Sequence, residues 1–345
     1  MSLLQETCDA IRGRSYEIEQ HIIDSWNAGS PVEQYGRLVN VVAQYGAATN
    51  QEHLTVPKPC MIIASADHGV ADMGVSAYPK ETTVGMTQNY LIPKGAGANS
   101  LANYCGAQME VIDMGIDADM SWVPGLRSHK LGMGTKNFVE EPAMTREQAI
   151  EGIETGIRLV KEKIDEGFNV FLVGEMGISN TTASALMTAK FAGLTAEEAT
   201  GRGTNISDER LKLKQRIVHD VLEKYKNIPK DDAIGILSSV GGFEFTCIVG
   251  VILGAAANNA LVIIDGFNTS ACALVAKTLV PQAMDYVMAS HLSAEKAAKS
   301  SLENLGLEAY VDLGLCLGEA SGGSIQMGML DLAVHIYLAV TGGKA

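Results

Sequence analysis

Hydrophobic residues follow two different patterns along this chain. Between about residues 3 and 50 they recur at roughly helical spacing, for example at Ile11, Ile18 and Ile22, which predicts two helices. Beyond that region, short apolar runs bounded by Gly, Asp or Asn alternate with longer amphipathic or small-residue stretches. Such alternation is typical of βαβ units, in which the strands of a parallel sheet are buried on both faces.

The apolar runs predict five buried strands, and the stretches between them predict helices. The predicted strands are residues 60–66, 109–114, 170–173, 234–240 and 261–264. The predicted helices are residues 99–104, 146–166, 181–192, 207–225, 247–258 and 269–280, followed by an apolar helix at 326–340. The tail of the segment 108–142 has a weak pattern and many glycines, so we expect a loop there.

These elements predict an α/β fold, with a doubly wound parallel sheet and helices on both of its faces. We expect a large domain at residues 60–325 that contains the active site, and a smaller helical lobe formed by residues 1–50 and 326–345. Ligands of such sheets bind in a crevice at the carboxyl ends of the strands.

Composition narrows the class of protein. With 345 residues, 47% of them hydrophobic, the chain can bury a large core. The formal net charge of -14 argues against binding nucleic acid, because that binding depends on clustered Lys and Arg. The N-terminus carries acidic residues rather than a signal-peptide core, and no stretch approaches about 18 uninterrupted apolar residues. We therefore expect a cytoplasmic protein with no membrane partner.

Neither the cysteines nor the histidines indicate a metal site. The six cysteines are scattered without a C-x-x-C pair, which favours free thiols in a reducing compartment. His68 and His291 could be ligands or bases, but neither has a partner at metal-site spacing, so core or turn histidines are the simpler interpretation. The sequence also lacks a nucleophile elbow. We expect no metal, no cofactor and no covalent catalysis.

Polar or glycine-rich clusters follow nearly every predicted strand. These clusters are residues 67–69, 174–182, 241–244 and 265–267. Because the carboxyl ends of parallel strands meet at one edge of a sheet, we expect these clusters to converge on one crevice.

Two glycine turns could bind an anion. In residues 174–182 the glycines permit a tight turn, and the following polar residues can cap a helix whose free N–H groups point at a phosphate. A turn of this kind is also often purely structural. Gly203 and Lys214 offer a second glycine turn and a cation, with a solvated helix lysine as the simpler interpretation.

Glu319 stands between an apolar run and a glycine turn. Burial there would raise the pKa of its carboxyl group towards a value useful for proton abstraction near neutral pH. A glutamate that caps a helix is the alternative interpretation of the same pattern.

Taken together, eight clusters resemble the nicotinate-nucleotide:dimethylbenzimidazole phosphoribosyltransferase family. They are ADHGV at 66–70, GVSAYP at 74–79, GEMGI with NTT at 174–182, VGGFE at 240–244, LGAA at 253–256, DGF at 265–267, ASHLSAE at 289–295 and LGEASG at 317–322. The resemblance implies a two-lobed α/β subunit with a Rossmann-like parallel sheet, in a dimer whose active site borrows residues from the neighbouring subunit. It also implies a reaction, in which an aromatic acceptor attacks C1′ of nicotinate mononucleotide with inversion. Nicotinate is released, and an α-ribotide for cobamide assembly is formed.

The resemblance also assigns roles to residues at matching positions. Glu319 matches the general base, and Glu175 matches the acidic partner beside it. The positions implied to bind the donor phosphate and ribose are Gly177, Asn180, Thr181, Gly203, Lys214, Gly241, Gly242 and Asp265. The positions implied to line the acceptor pocket are Ser76, Ala77, Tyr78, Pro79, Met86, Met176 and Leu317.

Three departures from the family pattern touch the acceptor side. The turn at 92–99 differs from the usual glycine- and alanine-rich one, Glu141 stands where glycine is usual, and Gly85 stands where many members have glutamine. The acceptor could therefore be a benzimidazole, a purine, or a phenol such as p-cresol; for a phenol, the dimer partner would be a paralogue rather than a second copy. A non-catalytic subunit or a nucleotide sensor is the second alternative. A Rossmann oxidoreductase is disfavoured, because no G-x-G-x-x-G follows the first strand.

Overall fold

The computed structural model describes residues 1–343, and its centre is one six-stranded parallel sheet. The strands are β1 (Pro59–Ala66), β2 (Gln108–Gly115), β3 (Arg127–Ser128), β4 (Val170–Met176), β5 (Leu261–Ile264) and β6 (Val287–Ala289). Their spatial order is β3-β2-β1-β4-β5-β6, which is the doubly wound order of Rossmann folds. The predicted fold class is confirmed, and the reversal of strand order between β1 and β4 marks where a crevice should open.

Fourteen α-helices surround this sheet in the described part of the chain. They are α1 (Leu3–Ala10), α2 (Tyr16–Gly29), α3 (Leu38–Ala48), α4 (Thr82–Leu91), α5 (Gly97–Tyr104), α6 (Arg146–Asp165), α7 (Asn180–Ala192), α8 (Ala196–Ala199), α9 (Asp208–Lys224), α10 (Ala233–Val240), α11 (Phe243–Ala257), α12 (Phe267–Leu279), α13 (Ala298–Leu305) and α14 (Ser321–Val340). Helices α11, α12 and α14 all contact β4. This cover explains why the strands β1 and β5 are buried along their whole length.

The prediction of a strand at 234–240 is wrong, because these residues form helix α10. Every residue of α10 is buried, and a short apolar run that is buried all round has the same pattern in a helix as in a strand. The helix begins where the carboxylate of Asp232 accepts a hydrogen bond from the Gly235 N–H at 2.9 Å. That cap is a local signal in the sequence that favours the helix.

Several other elements differ from the prediction in number rather than in kind. The N-terminal region forms three helices instead of two, because Ser15 caps the start of α2 after a break that contains Gly13. Helices α4 and α13 and the short strands β3 and β6 were not predicted. The strands β3 and β6 have two and three residues, which is too short for an apolar pattern to be recognised.

The last helix, α14, connects the sheet to the N-terminal helices. It contacts β4 and β5 as well as α2 and α3, and its Tyr337 ring lies 5.6 Å from the ring of Trp26. By length and composition alone, α14 is the one described helix that could cross a membrane. Its buried residues Leu330, Val334 and Tyr337 belong to the main hydrophobic core, so this likeness to a membrane span is weak evidence.

Candidate active site

A cavity of about 530 Å³ lies at the carboxyl ends of the strands. Its walls come from the turn after β4, the loops after β1, β5 and β6, the start of helix α4, and the turn that precedes α14. This is the position at which open α/β sheets bind ligands.

Most of the residues that the sequence singled out line this one cavity. The lining includes Ser76, Tyr78, Met86, Glu175, Met176, Gly177, Asn180, Thr181, Gly203, Asp265, Leu317 and Glu319. The predicted residues outside the lining are Ala77, Pro79, Lys214, Gly241 and Gly242. Lys214 lies directly behind the wall, as described below, whereas Ala77 and Pro79 are exposed to solvent.

The turn that carries Glu319 has an unusual backbone. Glu319 and Ala320 both have positive φ angles, of 60° and 58°, a backbone conformation that residues other than glycine rarely adopt. The turn packs directly on strand β4 at Gly174, where an added Cβ would lie 2.6 Å from the Ala320 nitrogen. Only a glycine at this position lets the turn come so close, so β4 and the turn fix the Glu319 backbone together.

Asp265 holds the same turn from the other side. Its Oδ1 atom accepts hydrogen bonds from the N–H groups of Gly322 and Gly323, at 2.7 and 3.3 Å, in the first turn of α14. Burial raises the pKa of Asp265 to about 6, although these N–H groups act to lower it. Asp265 was predicted to bind the donor, and the structure shows that one of its oxygens is already used to cap this helix.

Glu175 and Glu319 both line the cavity, and Glu175 packs against the turn that carries Glu319. An added Cβ at Gly318 would lie 2.8 Å from Oε1 of Glu175, one residue before Glu319. Burial raises the pKa of Glu175 to about 8, and the nearby charge of Glu244 raises it further, while hydrogen bonds from Asn268 and Asn180 lower it. Glu175 is therefore largely protonated at neutral pH when the cavity holds no cation.

The pKa of Glu319 is also above its usual value. Burial is the main cause, the charge of Asp265 adds to it, and the Tyr90 hydroxyl acts in the opposite direction. The sequence predicted that burial would raise the pKa of Glu319, and the structure agrees with this prediction. The alternative of a helix-capping glutamate does not fit, because Ala320 is the N-cap residue of α14 and Asp265 supplies the capping carboxylate.

The turn between β4 and α7 forms one end of the cavity. Ser179, which precedes α7, has a φ of 77°, and its buried Oγ atom has no hydrogen-bond partner among residues 1–343. Behind the wall, the Lys214 ammonium donates to Oγ1 of Thr181 at 2.8 Å. Gly203 also packs here, where an added Cβ would lie 3.4 Å from the Lys214 Nζ atom. We call this cluster, Ser179, Asn180, Thr181, Gly203 and Lys214, the donor end.

Lys214 is nearly completely buried, with 1% of its surface exposed. Burial lowers its pKa to about 8, against the opposing charge of Glu295. Its ammonium has three donors, and the single hydrogen-bond partner found for it in the described structure is Thr181. The simpler interpretation, a solvated helix lysine, is therefore wrong, whereas the predicted role in donor binding stays a prediction.

Another part of the cavity lining is apolar and more exposed. Met86, Met176 and Leu317 contribute apolar surface there, and Tyr78 and Leu317 are 57% and 58% exposed. We call these four residues the acceptor end. The loop that carries Tyr78 is tied to the donor end, because Oγ1 of Thr204 accepts a hydrogen bond from the Ala77 N–H at 2.9 Å.

Gly241 and Gly242 do not reach the cavity, although they were predicted to bind the donor. An added Cβ at Gly242 would lie 2.4 Å from Oε2 of Glu244 and 2.5 Å from Cε1 of His68. His68 and Glu244 form a fully buried pair with 2.7 Å between Nε2 and Oε1. This pair also contacts Gly177, which lines the cavity. Gly242 therefore packs against residues that support the cavity wall and does not itself form part of the wall.

Sequence reasoning gave no site role to several polar residues of the lining, among them Asn268, Ser293 and Glu295, and it favoured a core or turn histidine for His291. Asn268 donates to Oδ1 of Asn180 at 3.1 Å, and Asn180 in turn donates to Glu175. The signal for finding these residues was present, because Asn268 follows the cluster after β5 and the other three follow β6 in the segment 289–295. Within the described residues there is no group of three or more His, Cys, Asp or Glu side chains that could hold a metal ion.

A Rossmann-type sheet with a cavity lined by two buried carboxyl groups, and with a buried ammonium behind its wall, is the architecture of an α/β enzyme that transfers a group from an anionic donor. A family model described as "Phosphoribosyltransferase" matches residues 16–343. Together with the relatives below, this match shows that the chain belongs to the nicotinate-nucleotide–dimethylbenzimidazole phosphoribosyltransferase family, as the sequence clusters predicted.

Relatives of this name are similar over most of their length. The enzyme from Geobacter sulfurreducens is 43% identical, over 90% of this chain and 88% of its own. The enzyme from Chloroflexus aggregans is 41% identical, over 89% of this chain and 86% of its own. The crystal structure of CobT from Thermus thermophilus superimposes with a TM-score of 0.88 at 34% identity, and covers 93% of this chain and 96% of its own.

Proposed function

We propose that this enzyme transfers the phosphoribosyl group of nicotinate mononucleotide to an aromatic base of the benzimidazole class. The products are nicotinate and an α-ribotide, the precursor of the lower ligand of a cobamide. The observation that carries the proposal is that Glu175 and Glu319 line one cavity, whose wall also contains Thr181, with the buried Lys214 behind it, and the apolar residues of the acceptor end. The names of the relatives support the choice of both substrates.

The donor phosphate fits the donor end. The N-terminus of α7 and the Lys214 ammonium both favour an anion, and a phosphate beside Thr181 would take up the unused donors of Lys214. Neither Arg nor Lys lines the cavity in the described structure, whereas Glu175, Asp265, Glu295 and Glu319 do. This charge pattern suits a nucleotide whose phosphate is anionic and whose pyridinium ring is cationic.

The transfer itself needs a base and a stabilised cationic centre. The acceptor nitrogen forms a bond to C1′ while the bond from C1′ to the nicotinate nitrogen breaks, and the electron pair leaves with nicotinate. The attacking nitrogen uses its free lone pair, and Glu319 takes the proton that the other ring nitrogen of the acceptor loses. Glu175, paired with Asn180, faces the oxocarbenium-like centre at C1′, and positive charge there favours its ionised form.

A panel of acceptors tests this proposal. The purified chain is incubated with nicotinate mononucleotide and, separately, with dimethylbenzimidazole, benzimidazole, adenine, phenol or p-cresol, and nicotinate release is measured by chromatography. We expect release with the benzimidazoles and an α-linked product by NMR. No release with any acceptor, with the chain alone or mixed with a paralogue, would contradict the function. Release with the phenols alone would move the acceptor to the phenol class.

We also propose that the enzyme works as a dimer in the cytoplasm. The exposed Tyr78 and Leu317 leave the acceptor end open in a single subunit, which suits closure by a neighbour. Light scattering after size exclusion should give twice the mass of the 36.6 kDa chain, and a monomer in the active state would contradict the dimer.

A further inference from the structure

Helix α4 runs beside the cavity and brings three side chains onto one face. Thr82, Met86 and Tyr90 are spaced four residues apart, so they lie above one another along the helix. The first two line the cavity, and Tyr90 is buried, with 1% of its surface exposed. The same face that contributes to the acceptor end therefore carries a tyrosine into the protein interior behind it.

The backbone of Tyr90 is held in place. Its carbonyl oxygen accepts a hydrogen bond from Nδ2 of Asn99 at 2.9 Å, and Oδ1 of Asn99 accepts from the Ala96 N–H at 3.2 Å. Asn99 thus joins the end of α4 to the start of α5. A side chain fixed in this way presents its terminal group in one direction.

The hydroxyl group of Tyr90 has no hydrogen-bond partner within residues 1–343. An unpaired buried hydroxyl is costly, so a nearby acceptor that can take its hydrogen bond would stabilise it. Burial raises the pKa of this hydroxyl well above the usual value, and the nearby charges of Glu319 and Glu175 raise it further. The hydroxyl therefore stays protonated and can act as a donor.

We propose that Tyr90 is a positioning residue, which donates a hydrogen bond from its hydroxyl to the Glu319 carboxylate and holds that carboxylate towards the acceptor. A carboxylate has four lone-pair sites, so Glu319 can accept from Tyr90 on one oxygen and take the acceptor proton on the other. The backbone of Glu319 is fixed by its turn, and Tyr90 fixes the end of its side chain. This inference rests on the proposed role of Glu319 as the base.

The variant Tyr90→Phe tests the inference, because it removes only the hydroxyl. With the acceptor that the panel identifies, kcat should fall by about tenfold, since a hydrogen bond to a charged group is lost, while the KM of nicotinate mononucleotide stays unchanged. In a double variant, adding Tyr90→Phe to Glu319→Gln should lower kcat little further, because Tyr90 acts only through the Glu319 carboxylate. An unchanged kcat, or a change confined to the acceptor KM, would overturn the positioning role.

The matched control is Tyr337→Phe. Tyr337 is also fully buried and its hydroxyl also lacks a hydrogen-bond partner in the described structure, but it packs on Trp26 at the far end of α14. Its loss should leave kcat unchanged. A similar fall in kcat for both variants would indicate a general structural effect and would overturn the inference.

A second readout does not depend on turnover. The infrared C=O band that disappears in Glu319→Gln reports the protonated Glu319, and in Tyr90→Phe this band should persist to higher pH. Asp265, Glu175 and His291 also face this region and are common to both proteins, so the difference isolates Tyr90. An identical titration in both proteins would overturn the inference even if no substrate were turned over. Absence of turnover in the unchanged enzyme would contradict only the proposed function.

Discussion

The donor end and the acceptor end of the cavity are built in different ways. At the donor end, buried polar groups hold one another, as Lys214 holds Thr181 and Asn268 holds Asn180. At the acceptor end, Tyr78 and Leu317 are more than half exposed and make the wall from apolar surface. The donor end is therefore preorganised for one ligand, whereas the acceptor end gains its final shape only when a ligand or a neighbouring subunit covers it.

Glu319 lines the cavity and is the proposed base, so its loss should affect the reaction more than either binding step. For Glu319→Gln we expect kcat to fall by about 10²- to 10⁴-fold, the usual contribution of a general base. The KM values of both substrates should change little. Steady-state kinetics measures this, with the exposed Glu308→Gln as a control that keeps the wild-type rate. A variant with normal kcat would remove Glu319 from the reaction.

The donor end should respond to Lys214→Met, which keeps the length of the side chain and removes its charge. We expect the KM of nicotinate mononucleotide to rise by about 10- to 100-fold, because a charge-assisted contact to phosphate is lost. Stability should not fall, since replacing a buried charge by an apolar group is often neutral or stabilising. Lys212→Met, on the same helix but exposed, is the control. An equal rise in the acceptor KM would show that the two ends are not separate.

The charge of Lys214 also gives the donor end a pH dependence. Because burial lowers the pKa of this lysine to about 8, the free enzyme loses the charge as pH rises through that value. The donor phosphate is already fully ionised there, so the donor KM should rise by up to about tenfold per pH unit above pH 8. Kinetics between pH 7 and 9.5 would show this in the wild type and a flat profile in Lys214→Met. A flat profile in both would mean that Lys214 does not bind the donor in its charged form.

The acceptor end should give the smallest effect. Leu317→Ala removes apolar surface worth about 1 kcal/mol, so we expect the acceptor KM to rise roughly fivefold with an unchanged donor KM. Leu313→Ala is the matched control, since Leu313 is equally exposed, at 59%, in the same segment but outside the cavity lining. If both variants behaved alike, the exposed leucines of this segment would have some role other than acceptor binding.

The arrangement of the fold could be predicted because strands and helices in it have distinct patterns. Residues 60–66, 170–173 and 261–264 were correctly predicted as strands, and the clusters that follow the second and third of them line the cavity. The cluster at 67–69 was also expected to reach the cavity and does not, since His68 is buried against Glu244 instead. The pattern failed at 234–240, where complete burial hides the helical period and only the cap at Asp232 distinguishes a helix. Helix α4 escaped prediction because its polar threonines face the protein interior, as Thr83 and Thr87 show.

The site was predicted less evenly than the fold. Glu319 could be found because a single carboxylate between an apolar run and a glycine turn stands out, whereas Glu175 was identified only through the family resemblance. The burial of Lys214 could not, because it depends on how α9 packs against α7, and a lysine in a polar helix gives no sign of that packing. Tyr90 lay outside every cluster. The roles of these residues, and the division of the chain at residues 60 and 325 into a large domain and a lobe, stay predictions.

Gly174 limits how this enzyme could be altered by directed evolution. A library that changes Tyr78, Met86 or Leu317 samples new acceptors, because these side chains surround open space. Gly174 does not tolerate such changes, because any side chain there would clash with the Ala320 nitrogen and displace the proposed base. Variants selected for a new acceptor should therefore retain glycine at 174, whichever acceptor is chosen.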